Sequence, residues 1–103
     1  MLAPLVYKVK PYRFIAVVLR GGGHVGLKPM DHAELQRLDR VYDSHDQKFL
    51  KKTAQHDKAR RVRAEAYLGL LDQRHLCLQS LIEQDCFVKN AILDRIEQLA
   101  QSG

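Results

Sequence analysis

Tryptophan is absent from this chain of 103 residues, and cysteine occurs only twice, at Cys77 and Cys86. Two cysteines are too few for a disulfide-built secreted scaffold. Nine residues apart on one continuous helix, they would stand roughly 13 Å apart along the axis, beyond disulfide reach. They read as buried free thiols in a reducing compartment. Long apolar runs are also lacking. The longest, Phe14 to Leu19, is six residues, far short of the roughly 18 that span a bilayer. Lys8, Lys10 and Arg13 interrupt any signal-peptide core. The expectation is an intracellular protein, cytoplasmic or associated with the nucleoid or nucleus, whether encoded by the cell, a virus or a plasmid.

Proline and glycine are scarce where it matters most. From Asp31 to Ser102 there is no proline, and the one glycine is Gly69. That interval reads as long helices, because the two strongest helix breakers are nearly excluded from it. Asp31 can cap its start, with Glu34 placed for a capping box. Leu35, Leu38, Tyr42, His45 and Phe49 follow at 3, 4, 3, 4 spacing, a coiled-coil-like stripe in which His45 reads as partly buried. Ser44 and Gln47 offer a break near residue 44. Lys51 to Asp57 is polar and reads as a corner, with Thr53 as a cap. From Ala59 the stripe resumes through Val62, Ala66, Leu70, Cys77, Leu81, Val88, Ile92, Ile96 and Leu99. Leu68 to Ile82 is apolar on more than one face, which predicts a position central to a bundle or dimer. Gln84 to Cys86 offers a last corner, capped by Asp85, before a helix from about Phe87 to Ala100.

The lead-in before residue 29 reads differently. Leu5 to Lys10 alternates partially, and Tyr12 to Arg20 is β-branched and aromatic. Gly21 to Gly23 suits a turn, with a short third strand over His24 to Lys28. The predicted architecture is a single α+β domain over residues 1–103, helix-dominated. A short β-hairpin or meander (1–28) precedes two or three long helices (31–102) that form a helical hairpin or bundle and dimerise.

Catalytic and metal signatures are also missing. Gly21, Gly23 and Gly26 have the letters of a dinucleotide loop without its strand–helix setting, and no P-loop ending follows. The five histidines and two cysteines lack zinc spacing; only His75 and Cys77 are close. Ser44, His45 and Asp46 have triad residue types, but neighbours on a helix point apart. The expectation is a non-enzyme with no metal and no cofactor.

What is present is charge. The net charge is +5. Residues 1–63 carry fourteen Lys/Arg against six Asp/Glu, and residues 64–103 carry three against six. Seven cations fall between residues 48 and 63: Lys48, Lys51, Lys52, Lys58, Arg60, Arg61 and Arg63, against the single acid Asp57. Gathered at a helical corner, and extended by Arg37 and Arg40, they would grip the phosphates of duplex DNA or RNA, whose affinity comes largely from counterion release. Tyr7, Tyr12 and Phe14 beside Lys8, Lys10 and Arg13 suggest base stacking, but they match no RNA-recognition signature, and core packing is the better reading of Phe14. Two functions follow. The first is a small basic nucleic-acid-binding accessory or regulatory protein. The alternative is a helical protein–protein interaction module for an acidic partner, acting as an adaptor, an assembly subunit or an inhibitor of a larger complex. An enzyme subunit completed by another chain is a third.

Overall fold

The computed structural model describes residues 10–20 and 30–102, and these are wholly α-helical and irregular. Six helices occur in order: α1 (Phe14–Leu19), α2 (His32–Asp43), α3 (Gln47–His56), α4 (Arg60–Leu68), α5 (Gln73–Ile82) and α6 (Cys86–Ser102). No β-strand is present among the described residues, which corrects the α+β expectation. The strand expected over Tyr12 to Arg20 is α1. The strands expected at Leu5 to Lys10 and His24 to Lys28, and the glycine turn, lie outside the described residues, save Lys10.

α1 shows why β-branched content misled. Strand preference spans only ~1 kcal/mol and yields to packing. A lone segment in extended form would need a neighbouring strand for its backbone bonds, whereas a helix supplies its own. Phe14 and Val17, three residues apart, are buried. The helix is fastened at both ends: Phe14 N donates to Glu65 Oε1 at 3.0 Å, and Arg20 pairs with Asp94 of α6 at 2.5 Å.

The expected two or three long helices are also corrected: residues 32–102 form five shorter ones. Each break has a local cause. Asp31 caps α2 by accepting from Glu34 N at 2.7 Å, but Glu34 closes no reciprocal box, because its carboxylate is held by Arg61. The chain turns at Ser44 to Asp46, where Asp46 caps α3 by accepting from the amides of Lys48 and Phe49. Lys51 to His56 stays helical, and the corner falls at Asp57 to Ala59. There Asp57 accepts from Ala59 N at 2.8 Å. Asp85 caps α6 as expected, accepting from Phe87 N and Val88 N.

The break after α4 was not foreseen. Gly69 follows Leu68, and a Cβ there would lie 3.2 Å from Cδ1 of Leu50, a tight contact. The Gly69 to Leu71 linker is clamped by one side chain on both sides. Gln47 donates to Gly69 O at 3.2 Å and accepts from Leu71 N at 2.9 Å. Arg95 donates to Leu70 O at 2.8 Å. Asp72 then caps α5 by accepting from His75 N.

α4 is the centre, with α1, α2, α3 and α6 against it, while α5 rests mainly on α6. Ala64 and Ala66 are fully buried and let neighbouring backbones approach. Val62, Tyr67 and Leu68 fill the space around them with Leu38, Leu50, Phe87 and Ile92. Phe14 meets Phe87 edge-on at 6.3 Å, and Tyr12 meets Tyr42 edge-on at 5.5 Å. Glu65 is fully buried in this core. It accepts from Arg13 Nη1 at 2.9 Å as well as from Phe14 N, so one carboxylate ties α1 to α4. Burial pushes its carboxyl up, against the opposing pull of the Phe14 and Arg13 amides and the Arg13 charge.

Candidate interaction surface

The seven cations of the basic cluster divide into two groups. Arg61 is buried and pairs with Glu34 at 3.2 Å. Arg60 pairs with Asp85 at 2.9 Å. Arg63 reaches Glu83 at 3.8 Å and Asp85 at 3.9 Å, and donates to Asp57 O. These three arginines therefore pin α4 to α2 and to the α5–α6 corner. Burial works to raise the Asp85 carboxyl, but Arg60 and the Val88 and Phe87 amides outweigh it and hold the group below the usual aspartate value. Lys51 pairs with Asp72 at 3.5 Å. Lys48, Lys52 and Lys58 are exposed, and their side chains have no hydrogen bond or ion pair among the described residues. Of the extending pair, Arg37 bonds Asp57 bidentately, and Arg40 is exposed and unpaired.

The same accounting extends to the acids. Among the described residues, every Asp and Glu except Glu97 is engaged by a side chain or a backbone amide. Among the described residues, six cationic side chains have neither a hydrogen bond nor an ion pair: Arg40, Lys48, Lys52, Lys58, Arg74 and Lys89. Sequence counting located the excess positive charge but not these unpaired cations. Pairing partners far apart in sequence, such as Arg61 and Glu34, decide which cations remain free.

The second feature is apolar. Leu68 to Ile82 was expected at the centre of a bundle. Leu68, Leu70 and Leu76 are buried, but Leu78, Leu81 and Ile82 are 56%, 79% and 66% exposed, and Leu71 is also exposed. Leu76 and Ser80 face inward, so α5 lies on its neighbours through a narrow face. Arg74, Cys77, Leu78, Leu81 and Ile82, at i, i+3, i+4, i+7 and i+8, form its outer face. Cys77 and Cys86 are exposed free thiols, not buried ones. His45 is exposed as well.

α3 packs on α4 and α5 on α6, and α3 and α5 run in the same direction beside one another. At their starts Lys51 meets Asp72, and Gln47 holds the Gly69 to Leu71 linker. At their ends they diverge around an open groove of about 500 Å³. Gln55 and His56 of α3 form one wall, and Gln79, Ile82 and Glu83 form the other. Tyr67 of α4 also lines the groove, its hydroxyl donating to Gln79 Oε1 at 3.0 Å. Burial raises the Tyr67 phenol to about 12. His75 lies near the narrow end. Burial and the Lys51 charge lower its imidazole, against Asp72, and its Nε2 is buried without a hydrogen-bond partner.

Among the described residues, no three His, Cys, Asp or Glu side chains are grouped to hold a metal ion. No described helix is long and apolar enough to cross a membrane. No protein-family model, curated protein or solved structure matches the chain.

Proposed function

We propose that this protein is a helical protein–protein interaction module that engages its partner through the outer face of α5. The carrying observation is the exposure of Leu78, Leu81 and Ile82 side by side on a helix that buries only a narrow face. Singly exposed leucines are ordinary, whereas a contiguous apolar face is a feature of docking surfaces. Three arginines of the basic cluster serve the fold, which leaves a nucleic-acid reading with Lys48, Lys52 and Lys58 as its phosphate contacts. Lysines alone explain affinity for polyanions, but they give the leucines no role.

The test is a comparison of two variants in affinity isolation from cells that express the protein. Leu78→Asp/Leu81→Asp should lose the wild-type set of bound proteins. Lys48→Ala/Lys52→Ala/Lys58→Ala should lose any bound nucleic acid. If the α5 variant keeps every protein partner while the lysine variant alone loses binding, nucleic acid is the ligand and this reading fails. Replacing Arg60, Arg61 and Arg63 would not decide the matter, because it also dismantles contacts that hold the fold.

A further inference from the structure

The outer face of α5 and the groove beside it differ in chemistry across their width. Ile82 stands on the α5 wall, and the residue one turn before it on that side is Leu78. Gln55 stands on the α3 wall, and going back along that side come Lys52 and then Lys48, both exposed and unpaired. The groove itself is mostly polar, lined by Gln55, His56, Gln79, Glu83 and Gln84 with Ile82 and Tyr67, but the helix surfaces that continue from it differ: the α5 side is apolar through Ile82 and Leu78, and the α3 side is basic through Lys52 and Lys48. The groove is open, and its floor near Tyr67 lies between two helices that run parallel.

Building on the interaction-module reading, we propose that the occupant is an acidic amphipathic helix seated along α5 and α3. Its apolar stripe covers Leu78, Leu81 and Ile82, and its carboxylates face Lys48 and Lys52, with Arg74 one turn before Leu78 at the N-terminal end of the apolar face. The helix-in-groove mode uses this combination, i, i+3, i+4 anchors with charge along the edges. The charge accounting selects this occupant over a second copy of the chain. A second copy would bring the same unpartnered cations and only Glu97 as an unengaged described acid, so lysine would face lysine or an already satisfied carboxylate. Duplex nucleic acid would satisfy the lysines and leave the leucines in water.

Three labelled peptides of about 18 residues, long enough to overlay α5, test this by fluorescence anisotropy on the full chain. All carry the same leucine stripe, with glutamate, glutamine or lysine at the other positions. The glutamate peptide should bind at least about tenfold tighter than the glutamine peptide, with an affinity that falls as salt rises. Leu78→Asp/Ile82→Asp should remove that binding. Lys48→Glu/Lys52→Glu should abolish the preference for glutamate, with circular dichroism unchanged in both variants. Equal binding of the glutamate and glutamine peptides, still lost in the α5 variant, overturns the acidic assignment and leaves the docking face standing. Binding indifferent to the α5 variant, or absent for all three peptides, overturns the inference, and the isolation comparison then judges the module reading by itself. Sedimentation showing a dimer that the α5 variant dissociates makes a second copy the occupant and overturns it too.

Discussion

α4 and α5 are adjacent helices of nearly equal length, and their environments are the reverse of their compositions. α4 carries three arginines and a glutamate, yet Arg61, Glu65 and five apolar side chains are buried. α5 carries four large apolar residues, and only Leu76 of them is buried. The difference lies in partners. Each charge of α4 meets a counter-charge or amide from another element, which makes its burial tolerable. The leucines of α5 meet nothing on their outer side among the described residues. Composition reports what a helix can bury; the positions of Arg13, Glu34, Glu83 and Asp85 report what it does bury.

That contrast can be broken most severely at Glu65. Glu65→Ala leaves the Phe14 amide without its acceptor and Arg13 without its carboxylate. Breaking a buried pair from one side costs about 3 kcal/mol or more, which chemical denaturation should read as a large fall in midpoint. Next comes Gln47→Ala, which removes both clamps on the α4–α5 linker. Loss of two hydrogen bonds costs about 2 kcal/mol, and amide exchange at Leu71 should rise with it. Asp46→Ala removes the cap of α3 and should cost about 1 kcal/mol. Asp85 adds a pH dependence. Its folded value lies below the ordinary 3.8, so its contribution is complete above that pH and is lost as pH falls through the lower folded value. Wild-type stability should therefore drop in that acid window, and Asp85→Asn should show a shallower drop from a lower starting point. The smallest effect belongs to α5: Leu78→Ser and Leu81→Ser should each shift stability by no more than ~0.5 kcal/mol, while changing partner binding.

Much of the helical region was legible, and its failures have physical sources. Asp31 and Asp85 act as caps because a short carboxylate before an apolar-periodic segment has few other uses. Gly69 was visible as the single glycine in seventy-two residues, but periodicity ran through it, and only the approach of Leu50 explains the break. α1 was misread because a six-residue apolar segment carries no period that separates strand from buried helix. The basic cluster was legible as a cluster and not as a site, since ion pairing across 27 residues, as in Arg61 with Glu34, leaves no local trace. The exposure of Leu78, Leu81 and Ile82 was hidden for the same reason: an apolar helix looks alike whether its neighbour is its own chain or another.

Thiol labelling at Cys77 tests the central claim most directly, because its sulfur lies on the outer face of α5. In a Cys86→Ser background, native Cys77 in dilute protein should react with a maleimide within a few-fold of its rate in the denatured chain. Protection of a hundredfold or more, relieved only by denaturant, would mean that the face is covered by the protein's own structure, and would contradict the account.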